Sequence, residues 1–227
     1  MTEPHTLDAV IARRQTTKVF ADEPLPPHTD REAVEELVAA AAWAPFHRPA
    51  HKSHSGAPLA SPVPWRFHLL DAATCRVVRE RLLAAGDAGK LPNMLAAATT
   101  VVQATWLPDP PRETFEQANP EGLFEPTLGN MEHIAAAAAA IQNLLLAATD
   151  RGLVSYWSSG GALRQEAAYD WLAIPSQEIL LGAIFLFPSE EADTTRVPGK
   201  LRERRGATSD WSRWVEIAEE TVTDADS

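Results

Sequence analysis

Cysteine is almost missing from this chain: Cys75 stands alone, so no internal disulfide and no CxxC metal or redox pair can form. A single thiol suits a reducing compartment, and Cys75 is expected to act as a small buried hydrophobe. Positive charge is also scarce. Lys and Arg number 20 against 31 Asp and Glu, a formal net charge of -11. Duplex nucleic acid and anionic membrane surfaces attract concentrated positive charge, so neither is the expected partner. No apolar run of 18 residues is free of polar breaks, and the opening MTEPHTLDAV lacks the charged-then-apolar order of an export signal. A cytoplasmic location is the expectation. No internal repeat is visible, and His51 and His54 are not interleaved with cysteine or acid, so no metal site is expected.

What is present suffices for a full core. With 45% hydrophobic residues, 227 residues read as a single domain spanning 1–227, with 207–227 as a C-terminal extension. Leu7, Val10 and Ile11 place a short helix over residues 6–13. Thr29 and Glu32 have capping-box spacing ahead of Ala33, Val34, Leu37, Val38 and Ala41, a helical stripe that must stop near Pro45. The segment from Ala44 to Pro64 carries Pro45, Pro49, Pro58, Pro62 and Pro64 and reads as a long constrained loop. WRFHLLD (65–71) and TTVVQATWL (99–107) read as strands, with a helix over 72–85 between them. Residues 108–129 suit an excursion over the surface. MEHIAAAAAAIQNLLLAATDRG then reads as a long helix, expected to be buried on most sides and stopped by Gly152. LVSYWSSGG reads as a strand running into a turn. EILLGAIFLF (178–187), apolar throughout, reads as a central strand before the basic tail RVPGKLRERR.

One stretch does not fit an acidic chain. ARRQTTKVF (12–20) gathers Arg13, Arg14 and Lys18 around Thr16 and Thr17. Basic residues often close a helix, where they meet the negative carbonyl end, and that reading covers Arg13 and Arg14. Lys18 lies beyond the helix, and the threonine hydroxyls lie between the charges. Together they make a donor surface suited to a phosphate, held by side chains because the helix dipole there is of the wrong sign. Both readings stand on the residues alone.

The order of parts resembles the FMN-dependent nitroreductase family over about residues 6–206. Arg14-Gln15-Thr16-Thr17-Lys18-Val19-Phe20 is similar to that family's opening Arg-x-Ser/Thr-x-Arg/Lys-x-Phe element. Ala44-Pro45-Phe46-His47 with Pro64-Trp65-Arg66-Phe67 resembles its Ala-Pro and Gln-Pro-Trp-x-Phe elements. Gln142 to Ala148, through Gly152 to Trp157-Ser158-Ser159-Gly160, resembles its long helix and the strand end facing the flavin. Two departures stand out. Val63 replaces the glutamine before Pro-Trp, and an insertion of about fifteen residues separates His47 from Pro64, long for a loop.

The resemblance implies an α+β fold with a mostly antiparallel sheet flanked by helices, and an intertwined homodimer with flavin sites at the interface. It implies FMN as cofactor, NAD(P)H as reductant and a nitroaromatic, quinone or similar small oxidant, in a ping-pong hydride transfer through flavin N5 that needs no catalytic side chain. Cofactor-binding residues carried over are Arg14, Gln15, Thr16 and Lys18 at the phosphate, His47, and Ser158, Ser159 and Gly160 as backbone donors near the ring. Trp157 is read either as a wall of the ring site or as a strand-core aromatic. Lys200 and Arg202 are read as phosphate contacts from the tail or as solvated charges. The inserted loop is expected to restrict the oxidant. Two other readings remain beside this one: a protein that retains flavin without turnover, and a helical interaction module with no cofactor.

Overall fold

The computed structural model describes residues 6–56, 59–119 and 121–216. Residues 57–58 of the proline-rich loop and 217–227 of the C-terminal extension lie outside that range. Among the described residues, seven α-helices and six strands follow one another as α1 (Leu7–Arg13), β1 (Thr17–Phe20), α2 (Arg31–Ala41), β2 (Trp65–Asp71), α3 (Ala72–Ala84), α4 (Lys90–Ala97), β3 (Thr100–Trp106), α5 (Glu113–Ala118), α6 (Leu128–Asp150), β4 (Val154–Ser158), α7 (Glu166–Leu172), β5 (Ile179–Phe187) and β6 (Thr195–Pro198). The main sheet has the order β2-β3-β5-β4 with every pair antiparallel. Strands β1 and β6 form a separate antiparallel ribbon, tied to the β4 edge by a parallel bridge between Thr16 and Ser155. The α+β architecture expected from the sequence is the one observed.

Period-two alternation on the inner strands feeds two cores, one on each face of the sheet. Val102, Ala104, Trp106, Ile184 and Leu186 point toward α2 and α6, where Leu37, Ile141, Leu144 and Leu145 meet them. On the opposite face Val101, Phe185 and Phe187 pack under α3 and α4 with Val78, Leu82 and Leu95. Cys75 lies in this second core and is fully buried, as expected, and burial pushes its thiol up to about 12. The inertness of such a thiol follows from the missing thiolate.

Several local expectations need correction. Thr29 does not cap α2; Asp30 does, accepting from Ala33 N at 3.0 Å. The Thr29 hydroxyl is engaged elsewhere, donating to Thr99 O at 2.5 Å and accepting from Ala72 N at 2.8 Å. A long-range tie outcompeted the local cap. The long helix begins at Leu128, capped by Thr127, which accepts from Asn130 N. Most of its residues are buried or half-buried, as expected, while Leu128, Met131, Ala135, Gln142 and Asp150 are exposed. Among the described residues α6 is the helix long and apolar enough to cross a membrane, yet its buried residues pack on the sheet and α2. The excursion at 108–129 holds α5 and a buried carboxylate: Glu125 accepts from Arg112 N at 2.9 Å and Arg112 Nε at 2.6 Å.

Strand β2 passes directly into α3 through Asp71, whose carboxylate caps Thr74 N at 2.9 Å and pairs with Arg31. The backbone and side-chain hydrogen bonds of Thr74 come first in holding this carboxyl at about 2, with Arg31 adding to them. Because the folded value is depressed, the stabilisation is present above the ordinary 3.8 and is lost as pH falls through about 2. Replacing Asp71 by Ala should cost about 1 kcal/mol at neutral pH, whereas Asn should keep most of the cap. Urea unfolding of both variants at pH 7 and pH 2.5 checks this: the wild-type advantage over Asp71→Ala should shrink at the lower pH, and an unchanged gap would refute the charge assignment.

Candidate functional site

The β1–β6 ribbon is short, four residues in each strand, and it closes a sequence separation of about 180 residues for which local propensity offers no reason. Thr17 stands opposite Pro198 and Lys18 opposite Val197, and Gly199 N–H extends the ladder by donating to Thr16 O at 2.8 Å. As a result the residues just before β1 meet those just after β6. Arg14, Gln15, Thr16, Leu201, Arg202 and Arg205, with Gly199, line a cavity of about 220 Å³. Arg14 donates to the Thr16 hydroxyl at 3.4 Å, and Arg202 donates to Ala12 O at the carbonyl end of α1.

The electrostatics of this cavity are one-sided. Burial first, then Arg205 and Arg202, pulls the Arg14 guanidinium below its ordinary value. Among the described residues none of these three arginines forms an ion pair. Three cations held around a small cavity without a carboxylate repel one another, a cost an anion would relieve. Guanidinium groups and the Thr16 hydroxyl give an anion directed donors.

The bridge between Thr16 and Ser155 joins this cavity to the start of β4. At the other end of that strand the turn Ser158-Ser159-Gly160 is tightly held. Gly160 N–H donates to the Ser158 hydroxyl at 3.1 Å, so the exposed backbone donor of the turn is Ser159 N–H, not Gly160 N–H. Gly160 has φ of +108°, and a Cβ there would fall 2.6 Å from Leu180 Cδ2, so only glycine fits. Arg164 ties the turn to β5, donating through Nε to Ser159 O and through Nη1 to Leu180 O at 2.5 Å. Trp157 is half-buried against the α6-side core and lies over Gly182, where a Cβ would meet its indole nitrogen at 2.1 Å.

The remaining sequence-derived residues divide. Lys18 is close by on β1, but its ammonium lies over the Tyr156 ring at 5.1 Å. Lys200 does not line the arginine cavity; Arg205, absent from the sequence reading, does. A signal for it existed, since Arg202 and Arg205 are three apart and a 3₁₀ turn over Leu201–Arg204 sets such residues on one side. His47 lies elsewhere, exposed beside Phe46 in a shallow pocket along the outward side of α6 with Ala135 and Ala139. His51 and His54 belong to the proline-rich loop, where His51 accepts from Ser53 N and His54 bonds Pro108 O at 2.8 Å. Among the described residues no cluster of His, Cys, Asp or Glu is arranged to hold a metal ion.

Comparison with known proteins bears on the family and the fold. The model of the Nitroreductase family matches residues 11–186. A nitroreductase-like family protein from Bacillus cereus shares the fold with a TM-score of 0.58 at 20% identity, over 96% of this chain and 99% of the other. A Desulfovibrio desulfuricans structure in complex with FMN superposes with a TM-score of 0.51 at 23% identity, over 83% of this chain and 89% of the other. A nitroreductase family protein from Clostridium novyi NT gives 0.52 at 17% identity, over 83% and 87%. No curated protein matches the sequence.

An anion that settles among Arg14, Arg202 and Arg205 should stabilise the fold through linkage. Inorganic phosphate at ten times its Kd should raise Tm by about 3–6 °C for a chain of this size. Thermal melts at constant ionic strength, with phosphate exchanged for chloride, measure it. Arg14→Gln should abolish the shift and should itself melt slightly higher in chloride, where the repulsion is relieved; an equal phosphate shift in the variant would dismiss the site.

Proposed function

Because this chain belongs to the nitroreductase family, we propose that it is an FMN-dependent oxidoreductase that takes reducing equivalents from NAD(P)H and passes them to a small oxidant such as a nitroaromatic or a quinone. The observation that carries the reading is the cavity of three arginines, without an ion pair among the described residues, together with Thr16, a donor set that fits the terminal phosphate of a mononucleotide. When bound, FMN supplies two-electron chemistry, accepting hydride at N5 from a nicotinamide and yielding it to an oxidant in a second half-reaction.

The chain's own residues have simpler tasks. Arg14, Arg202 and Arg205 anchor the phosphate, with the Thr16 hydroxyl as a further polar contact. Gln15 lines the same cavity and is exposed to a ligand's polar chain. Lys18 follows on β1, and Ser158 and Ser159 close the far end of β4, the strand that Thr16 bridges. Ser159 N–H and the exposed face of the turn orient a planar ring, and Arg164 keeps that turn rigid so that little order is lost on binding. Trp157 serves as a strand-end wall rather than a mobile lid, given its seat over Gly182. None of these groups is asked to become a nucleophile.

A homodimer follows from the surface that α6 leaves open. Pro45 and Phe46 lie against Ala135 and Ala139 on the outward side of α6, and Phe46 (42%) and Met131 (60%) are exposed apolar side chains. His47 lies along that same surface, so a second copy covering it would bury His47 in the contact. The proline-rich loop, set apart from the arginine cavity, is the element we expect to select the oxidant.

Two experiments test this reading. Purified protein should show a flavin spectrum that NAD(P)H bleaches, and Arg14→Ala should weaken FMN by about 1–3 kcal/mol, the loss usual for a charge-assisted bond. Unchanged affinity in the folded variant would remove the phosphate assignment. Light scattering at micromolar concentration should give twice the mass of one chain; a monomer retaining flavin would contradict the shared surface.

A further inference from the structure

A second cavity lies under the proline-rich loop and shares no lining residue with the arginine cavity. It measures about 180 Å³ and is lined by His54, Leu59, Arg66, His68, Pro175 and Glu178, among others. Arg66 and His68 are two apart on β2 and so share a face of the sheet. Glu178, the residue before β5, meets them there. The Thr105 hydroxyl donates to its Oε2 at 2.5 Å, and His68 Nε2 lies 2.8 Å from the same oxygen.

The two charged side chains of this floor are each more than nine-tenths covered, Arg66 at 5% exposed and Glu178 at 6%. Burial pushes the Glu178 carboxyl up, but the bonds from His68 and Thr105 outweigh it and hold the group below its ordinary value. Arg66 spends both terminal nitrogens on backbone carbonyls of the loop and its exit. Nη1 donates to Val63 at 2.9 Å and Trp65 at 2.7 Å, and Nη2 donates to Ser61 at 2.8 Å and His54 at 3.4 Å. The Glu178 charge acts on this guanidinium, yet the two form no ion pair.

One atom of each group is left over. Arg66 Nε and Glu178 Oε1 have no hydrogen-bond partner among the described residues, and neither is among the fully covered atoms that lack one. Each therefore reaches accessible space, and for two covered side chains that line one cavity, that space is the cavity. His68 occupies Oε2 whether its ring is neutral or charged, so Oε1 is free in either state. A guanidinium nitrogen can only donate and a carboxylate oxygen can only accept. A ligand that satisfies both must bring an acceptor and a donor together.

We propose that this cavity is a second small-molecule site, taking a neutral primary carboxamide on a single small ring, its N–H donating to Glu178 Oε1 and its carbonyl accepting from Arg66 Nε. An amide joins the two functions in one rigid planar group, and its carbonyl is the kind of acceptor that the other Arg66 nitrogens already take from the loop. A cation would meet the Arg66 charge and an anion the Glu178 charge. The volume suits one ring, since a dry cavity of about 150 Å³ accommodates benzene. Leu59, Ala173 and Pro175 offer that ring apolar contact.

Binding is measured by calorimetry on the full chain, flavin included, with benzamide as probe. Acetophenone, which keeps the carbonyl and loses the N–H, and aniline, which keeps the N–H and loses the carbonyl, are neutral controls of similar size. Benzamide should bind, and both controls should bind at least tenfold more weakly. In Glu178→Gln the amide oxygen stays toward Thr105 and His68, so an NH2 donor takes the place of the free acceptor. Gln177→Trp fills the cavity from an exposed rim position and keeps the test meaningful if the first variant does not fold. Each folded variant should lose benzamide affinity at least tenfold with flavin content unchanged. No benzamide binding by the wild type up to its solubility, controls that bind as well as benzamide, or a folded variant that binds as the wild type does, as it would if benzamide lay against the flavin, would each overturn the assignment. Because flavin content is read separately, failure here is distinguishable from failure of the oxidoreductase reading.

Discussion

The pairing of β1 with β6 is the contact on which the arginine cavity depends. Arg14 belongs to the first helix's end and Arg202 and Arg205 to the tail, and nothing in either segment's own propensity brings them together. Four residues of ladder on each side, extended by Gly199 to Thr16, hold the two segments in register. Such short strands are weak by themselves, so the ribbon relies on its attachment to β4 through Thr16 and Ser155 and on Val19, which is fully buried in the core under α3 and α4. Binding chemistry and folding are therefore the same contact seen twice. The like charges strain what the buried valine secures.

Regular periodicity made much of this legible before any coordinates. Strand β2 falls on the expected residues, and β3, β5 and α6 lie within a few residues of expectation, because alternation or helical spacing ran long enough to be unambiguous. Helix α4 was missed for a physical reason: Leu91 to Ala97 is buried without a polar face, which removes the spacing signal, and Pro92 in the first turn reads as a breaker although that position tolerates it. The Thr29 reading failed because capping is local and the hydroxyl's partners are not. They come from Thr99 and Ala72, tens of residues away.

The candidate site was legible in part for the same reason. Arg14, Gln15 and Thr16 were visible as one anomalous run, and the tail was visible as basic. Which tail residue turns inward depends on the 3₁₀ turn, so Arg205 in place of Lys200 needed the backbone. The pairing of His68 with Glu178, 2.8 Å apart, had no sequence signature at all. His68 occupies an ordinary alternating position in β2, and only the assembled fold sets it against Glu178, 110 residues away.

The arginine cavity also has a kinetic side, since it is a small positive mouth on a chain of formal net charge -11. An approaching anion meets repulsion from the whole molecule at long range and attraction from three guanidinium groups only at short range. Dissolved ions screen the first more than the second, because the Debye length at physiological salt is about 8 Å. Association of an anionic ligand should therefore quicken as salt is raised from very low levels, before slowing once screening reaches the cavity itself. Most oppositely charged encounters show a steady decline with salt instead; here the order of ranges reverses the initial slope.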